Sequence, residues 1–210
     1  MARLEAPSIW TIGHSSHSYA QFLALLRGAE ITAVADVRSS PFSRHSPQYN
    51  AATLKADLKQ DSVAYSFLGK ELGGRPPSGD LFRDGIADYE RMAQTAEFRE
   101  GLDRVIEGAR AFRIVLMCSE HDPLDCHRCL LVARALSERN LVVRHVLSDA
   151  RQKTQSEIEE ILLANAGQDS GQDDLFASRS ERLAAAYRQR ARKVAYALSG
   201  QNRPSTTAAE

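Results

Sequence analysis

The sequence has no excess of either charge, no long apolar run and few cysteines, and each absence removes a class of protein. Lysine plus arginine and aspartate plus glutamate both number 27, which disfavours a nucleic-acid binder with a basic surface throughout. No apolar stretch approaches the roughly 20 residues of a membrane span. The N-terminal residues also lack the apolar centre of a secretory signal. We therefore expect a cytoplasmic protein with no membrane partner.

Disulfide and nucleotide-binding patterns are missing too. The three cysteines, an odd number, argue against a disulfide framework and for reduced thiols. Gly13 stands alone where a dinucleotide-binding fingerprint needs three glycines, and no GxxxxGK[ST] phosphate loop occurs. We therefore expect no cofactor of the nicotinamide type or any other organic cofactor, and leave only a divalent metal open.

Short apolar runs alternate with helical patterns along most of the chain. The runs typical of buried strands are SIWTIG, ITAVADVR, VAYSFL, FRIVLMC and LVVRHVL. The first helical segment begins with a capping box of Ser18 and Gln21. This alternation predicts an α/β fold with a Rossmann-like parallel sheet of about five strands, flanked by helices on both faces. Loops at the carboxyl ends of such strands meet at one edge, where ligands bind.

The composition changes towards the C-terminus and predicts a helical extension. We expect residues 1–166 to form the α/β domain, and residues 167–210 to hold a polar linker, a C-terminal helix and a disordered tail. Because a linker precedes it, the segment from about Gln168 is expected to be dispensable for folding. Its arginine-rich helix is interpreted as a packing helix with a solvated basic face, with a phosphate-contacting arm as the alternative.

Residues 116–130 contain all three cysteines and two histidines. Cys126 is expected to open a helix, where the helix dipole and free N–H groups favour a thiolate. His127 and Arg128 add positive charge beside it. Cys126 is therefore predicted to be the most reactive thiol, the alternative being a small buried residue with a packing role.

The same stretch supports two other hypotheses. Cys118, at the end of the fourth predicted strand, and Cys126 are candidate ligands of a mixed sulfur–nitrogen metal site. The imidazoles available to join them are His14, His121 and His127. Cys126 and Cys129 also match a C-x-x-C redox pair, although such pairs follow the first strand of a mixed sheet rather than the fourth of a parallel one.

A second group of polar residues follows the second predicted strand. Asp36 and Arg38 lie two residues apart and therefore share a face. They form either a structural ion pair or a site in which Arg38 binds an anion and Asp36 orients His14 or acts as a base. The glycine-rich loop after the third strand adds Lys70 and Arg75, and we interpret it as a basic lid.

Several segments together resemble the family called domain of unknown function 488. They are TIGHS, DVRSSPFSRH, YSFLGKELGG, YERM, LMCSEHDPLDCHR and HVLSDA, in the expected order within roughly the first 150 residues. The resemblance implies a compact α/β domain and supplies no function. It points to His14, Asp36, Arg38, Cys118, Glu120, Cys126, His127 and Arg128. Cys129 departs from the family pattern, which generally has an aliphatic or small residue after CHR, and this disfavours the C-x-x-C pair.

Two functions follow as expectations. The first is an enzyme acting on a phosphorylated, nucleotide-like or nucleic-acid substrate at the carboxyl edge of the sheet. Its expected catalytic residues are Cys126, His14, Asp36 and Glu120. Its expected substrate-binding residues are Arg38, Arg128, Arg75 and Lys70. The second is a non-catalytic sensor or interaction module that binds a metal through Cys118, Cys126 and His14. The sequence indicates neither the reaction nor the oligomeric state.

Overall fold

The computed structural model describes residues 8–77, 79–167 and 177–198. Its strands, in chain order, are β1 (Ser8–Gly13), β2 (Ala33–Asp36), β3 (Ala64–Phe67), β4 (Phe82–Arg83), β5 (Ile86–Ala87), β6 (Ile114–Cys118), β7 (Val142–Val146) and β8 (Gln152–Thr154). Six of them form one sheet in the order β3-β2-β6-β1-β7-β8, and β4 and β5 form a separate hairpin. The main sheet is parallel except for β8, which pairs antiparallel with β7. The predicted α/β sheet is confirmed, with one antiparallel edge strand in addition.

The helices cover both faces of the sheet, as predicted. They are α1 (Tyr19–Gly28), α2 (Ala51–Gln60), α3 (Tyr89–Met92), α4 (Ala96–Gly108), α5 (Arg134–Glu138), α6 (Gln155–Asn165) and α7 (Arg179–Val194). A π-helix, Arg128–Ala133, runs directly into α5. The capping box of Ser18 and Gln21 at the start of α1 is confirmed.

Two apolar cores lie on opposite faces because successive strand residues point to opposite sides. Trp10 and Met117 pack with α1 and α2 on one face. Ile9 and Leu116 pack with α4, the π-helix, α6 and α7 on the other. Strands β1 and β6, which carry these four residues, are apolar at almost every position because both faces of the sheet are covered.

Strand β6 is the point where the direction of winding reverses. The chain proceeds from β1 to β2 and from β2 to β3 towards one edge of the sheet, whereas it proceeds from β6 to β7 towards the other. The loops after β6 and after its neighbours β1 and β2 therefore leave on different faces, and a crevice opens between them. This crevice is where a doubly wound sheet binds ligands.

The C-terminal helix α7 packs against the α/β domain. Ala186 and Tyr187 are buried in the core that α4 and α6 share. Ala87 N–H donates to the Tyr196 carbonyl, and Leu198 N–H donates to the Gly85 carbonyl, so the segment after α7 lies along β5. The predicted linker and tail lie largely outside the described residues. That the segment is dispensable stays a prediction, and this packing argues against it.

Within the described ranges, no helix combines the length and the apolar character needed to cross a bilayer.

Candidate functional site

A cleft of about 170 Å³ opens at the carboxyl edge of the sheet, beside the end of β6. Cys118, Cys126 and His127 line its inner part, and we call these three residues the Cys/His cluster. Its other lining residues include Ser39, Ser40, Gly74, Arg75, Tyr89, Glu120 and Tyr196, of which Arg75 and Glu120 are exposed at the rim. The cleft therefore lies where the reversal of winding at β6 predicts a binding site.

The Cys/His cluster brings two thiols and an imidazole to one point. His127 Nδ1 lies 3.7 Å from Cys118 Sγ and 3.8 Å from Cys126 Sγ. All three atoms lie within 4.8 Å of one another. The cluster thus contains Cys118 and Cys126 of the predicted metal set, but its imidazole is that of His127 and not that of His14.

Cys126 is positioned by the start of the π-helix. Its backbone is extended, at φ −135° and ψ 139°, and His127 is the first residue with helical angles. Arg128 N–H points at Cys126 Sγ over 3.4 Å. Cys126 therefore lies immediately before the start of the helix at His127 and does not occupy the first turn, which was the expectation. π-helical turns are rare and frequent at functional sites.

His127 is held from both sides. Its Nε2 atom lies 2.9 Å from the Val37 carbonyl oxygen, which follows β2. A Cβ atom on Gly74 would lie 2.7 Å from His127 Cγ, so only glycine allows the loop to approach the ring so closely. The glycine-rich loop therefore packs on the cluster, a contact that the sequence alone did not reveal.

Glu120 joins the cluster from the rim. Its Oε2 atom lies 3.0 Å from Cys118 Sγ and 3.1 Å from Cys126 Sγ. The residue is exposed, but this oxygen faces the thiols, and desolvation together with the nearby Cys126 thiolate raises the pKa of Glu120. Three acidic groups and one imidazole thus meet within hydrogen-bonding distance.

The two thiols of the cluster differ in acidity. Burial raises the pKa of Cys126, but the hydrogen bond from Cys118, the Arg128 charge and His127 together lower it well below its ordinary value. Burial raises the pKa of Cys118, and the negative charge of Cys126 raises it further. Burial lowers the pKa of His127, but the Cys126 thiolate outweighs this and raises it. Cys126 is therefore the more acidic of the two thiols.

Arg128 lies beneath the cleft and not in it. Its side chain is fully buried, and it donates to the carbonyl oxygens of Glu120, at 2.7 Å, and His121, at 3.1 Å. The prediction that Arg128 binds substrate does not fit this position. It holds the loop after β6 in place and supplies positive charge to Cys126.

Asp36 and Arg38 form a buried, bidentate ion pair. Arg38 Nε and Nη2 donate to the two carboxylate oxygens of Asp36, at 2.9 and 2.6 Å. Arg38 Nη2 also donates to the Tyr49 carbonyl, and Tyr65 Oη donates to Asp36. Arg38 does reach the wall of the cleft, but its charge is offset by Asp36. This geometry favours the structural interpretation of the pair over anion binding.

His14 belongs to the same internal network. It stacks on Tyr49 with ring centroids 4.0 Å apart, and its Nε2 atom lies 3.3 Å from Arg38 Nη1. Burial lowers the pKa of His14 to about 4, so the ring is neutral and Nε2 accepts from Arg38. His14 is not among the residues that line the cleft. The structure therefore does not bring His14 or Asp36 to the Cys/His cluster.

The remaining predicted basic residues differ in position. Arg75 is exposed at the rim, with its guanidinium 5.1 Å from the ring of Tyr196. Lys70 is exposed on a separate depression. The basic face of α7 is largely paired with acidic side chains of the domain, as in Arg190 with Asp125 and Arg188 with Glu90. This pairing supports the packing-helix interpretation of α7.

Cys129 points away from the cluster. Its Sγ atom lies 3.9 Å from Gln155 Oε1, under α6, and burial raises its pKa to about 12. It is therefore a buried packing residue, and the structure gives no support to a Cys126–Cys129 redox pair.

Fold and site together define an α/β protein of Rossmann-like architecture with a Cys/His cluster at the switch point of its sheet. The family model described as domain of unknown function DUF488 matches residues 18–135, more than half of the chain. The protein belongs to this family, as its motifs indicated. The matched range includes the Cys/His cluster and Glu120, whereas His14 and α7 lie outside it. No curated protein and no solved structure matches the chain.

Proposed function

We propose that the protein is a metal-dependent enzyme in which Cys118, Cys126 and His127 hold a divalent ion of the zinc class. The observation that carries this proposal is the convergence of two sulfur atoms and one nitrogen atom at the cleft. Thiolate and imidazole ligands suit zinc, and three protein ligands with one open position are typical of catalytic zinc sites. The reducing cytoplasm, which we expect to be its compartment, keeps such thiols available.

The distances fit a tetrahedral ion. Bonds of about 2.3 Å to sulfur and about 2.0 Å to nitrogen place those two atoms about 3.5 Å apart. The observed separations from His127 Nδ1 are 3.7 and 3.8 Å. His127 Nε2 donates to the Val37 carbonyl, which leaves Nδ1 with its lone pair towards the sulfur atoms. This is the outer hydrogen bond that metal-binding histidines typically make.

Glu120 fits the role of a proton acceptor beside the metal. Its Oε2 atom lies 3.0 and 3.1 Å from the two sulfur atoms, closer than the roughly 3.6 Å expected for a fourth ligand on the same ion. A carboxylate at the rim, next to an open coordination position, can take a proton from a water molecule there. Hydrolysis is therefore the reaction class that these residues support.

For the substrate, we propose a small phosphorylated or nucleotide-like molecule. Arg75, Ser39 and Ser40 supply positive charge and hydroxyl groups at the rim, and Tyr89 supplies an aromatic ring. The volume of about 170 Å³ is smaller than the roughly 300 Å³ of typical ligand pockets, so only the reacting part of the substrate enters. Of the three arginines expected to bind substrate, we retain Arg75, because the charges of Arg38 and Arg128 are engaged inside the fold.

Elemental analysis of protein purified without added metal tests the proposal. We expect stoichiometric metal in the parent and in Cys129→Ser, and its loss in Cys126→Ser. Hydrolysis of a panel of nucleoside phosphates should then depend on the metal. A parent protein without metal that also binds no added zinc would overturn the proposal.

The second candidate is a non-catalytic metal-binding module. The closeness of Glu120 to both sulfur atoms favours it, because a carboxylate that shifts by about 0.5 Å would close a four-ligand structural site. Glu120→Gln separates the two functions. If Glu120 is the proton acceptor, the variant keeps its metal and loses hydrolysis. If Glu120 is a ligand, the variant loses metal affinity.

A further inference from the structure

The two sulfur atoms of the Cys/His cluster are neighbours in the buried wall of the same cleft. Cys118 Sγ and Cys126 Sγ lie within 4.8 Å of each other, and both approach one oxygen of Glu120. Both residues are free cysteines that line the cleft. The third cysteine, Cys129, contacts Gln155 on the other side of the π-helix. Only one pair of thiols among the described residues is therefore placed to react with each other.

We propose that Cys118 and Cys126 form a reversible disulfide when the protein meets a hydroperoxide, and that this bond expels the metal. The release of the metal rests on the proposed function, since the same two sulfur atoms are the proposed ligands. The formation of the disulfide rests on the geometry of the two cysteines alone. The disulfide is thus a modification site distinct from the C-x-x-C pair of Cys126 and Cys129.

The chemistry balances in two steps. The Cys126 sulfur attacks one oxygen of the hydroperoxide, the O–O bond breaks, and the leaving alkoxide or hydroxide takes a proton to become an alcohol or water. Cys126 is then a sulfenic acid. The Cys118 sulfur attacks the sulfur of Cys126, the S–O bond breaks, and the departing hydroxide takes a proton to become water. Two electrons pass from the thiols to the peroxide, and a dithiol reductant returns them.

Formation of the bond requires a short movement of the two side chains. The sulfur atoms must approach from within 4.8 Å to about 2.05 Å, and both now contact the same oxygen of Glu120. Glu120 is exposed and can swing outwards as they approach. A metal held by two thiolates and one imidazole then retains one of its three ligands. Neutral sulfur in a disulfide is a poor ligand, so the ion leaves.

The test uses the full chain, first reduced and then treated with hydrogen peroxide as the probe, with and without prior zinc loading. We expect titratable thiols under denaturing conditions to fall from three to one. Peptide mapping should show a Cys118–Cys126 bond, and dithiothreitol should restore all three thiols. In zinc-loaded protein, a chromophoric chelator should detect release of the ion in step with the bond.

Two variants make the outcome specific. Cys129→Ser should form the bond as the parent does, because Cys129 takes no part. Cys118→Ser should stop at the sulfenic acid on Cys126, which dimedone traps. A Cys126–Cys129 bond, or oxidation of Cys126 to the sulfinic acid without any disulfide, overturns the inference. If the protein forms the disulfide but never binds zinc, the proposed function and the metal release are wrong. The proposed disulfide is then still supported.

Discussion

The Nε2 atom of His127 lies 2.9 Å from the carbonyl oxygen of Val37, and this contact joins the loop after β6 to the loop after β2. A carbonyl oxygen only accepts hydrogen bonds, so Nε2 carries a proton. The contact therefore orients the ring and turns Nδ1 towards the two sulfur atoms of the cluster. Because Val37 contributes its backbone carbonyl, no side-chain pattern in the sequence predicts this contact.

Loss of this imidazole should abolish tight metal binding. Outer hydrogen-bond partners of metal ligands are worth about 10- to 100-fold in affinity, so removing the ligand itself in His127→Gln should weaken zinc binding by at least about 100-fold. Competition with a chromophoric chelator measures this. His121→Ala is the matched control, since His121 lies in the same loop and contacts Ser148 instead. Equal affinity in both variants would place the metal elsewhere.

Two glycines offer a paired test of the loop after β6. A Cβ atom at Gly13 would lie 1.8 Å from the Glu120 carbonyl oxygen and 3.1 Å from Arg128 Nη2, whereas nothing lies within 4 Å of one at Gly28. Gly13→Ala should therefore displace the loop, reduce stability by about 2 kcal/mol or more and weaken zinc binding. Gly28→Ala should keep or slightly raise stability. Urea denaturation and zinc titration of both variants give the answer, and a neutral Gly13→Ala would contradict the close packing.

The ion pair of Asp36 and Arg38 should behave as a structural element. Arg38→Met leaves a buried carboxylate with the Tyr65 hydroxyl, and breaking a buried pair in this way costs about 3–5 kcal/mol of unfolding free energy. Arg27→Met, which removes an exposed partner of Asp61, should cost less than about 1 kcal/mol. Chemical denaturation compares them. If Arg38→Met unfolds like the parent yet loses substrate binding, Arg38 is a substrate ligand after all.

His145 should make stability depend on pH. Burial lowers its pKa to about 4, and it lies between Thr11 and Gln155 in the core. Between pH 6.5 and about 4, the unfolded chain binds a proton that the folded chain does not. Stability should therefore fall as the pH is lowered, by about 2 kcal/mol at pH 5 from this residue.

Nuclear magnetic resonance and denaturation together check the role of His145. Its ring proton signals should not shift between pH 7 and pH 5, and the loss of stability should shrink in His145→Gln. Titration of His145 near pH 6.5 in the folded protein would refute the assignment.

The hydroxyl group of Tyr187 should stabilise the docking of α7. Gln155 donates to it at 2.5 Å, and it donates to Glu159 at 2.9 Å. Tyr187→Phe leaves a buried amide without its acceptor and should cost about 1–3 kcal/mol. Tyr196→Phe, at the rim of the cleft, should change stability by less than about 0.5 kcal/mol. Thermal unfolding of the two variants distinguishes them, and equal midpoints would show that α7 docks without this contact.

The central strands of the main sheet were predictable because they are covered on both faces and are therefore apolar almost throughout, as in IVLMC of β6. The antiparallel strand β8 was not predictable, because its sequence QKT has no apolar residue. Its pairing depends on the turn that brings it to β7. The hairpin of β4 and β5 has two residues in each strand, too few for any periodicity. The π-helical turn is likewise set by packing and not by a local sequence pattern.

For the site, topology predicted the meeting of Cys118 and Cys126, but not which neighbours point at them. Neighbouring helical residues point in directions about 100° apart. His127 therefore faces the cleft, whereas Arg128 turns into the core. Which of the two faces outwards depends on how the π-helix begins, and that is fixed by the Val37 carbonyl and Gly74. The prediction that His14 is the third ligand did not foresee the position of His127. In the structure, His14 contacts Arg38 instead of the two cysteines.

The wall of the cleft formed by Tyr196 bears on how the protein is made. Tyr196 is held against β5 by the bond from Ala87 N–H to its carbonyl oxygen. All residues of the Cys/His cluster precede it in the chain and leave the ribosome earlier, but a domain generally folds as one unit. Residues of α7 share a core with Cys118 and Cys126. The cleft therefore has all its walls only after the segment that carries Tyr196 has left the ribosome.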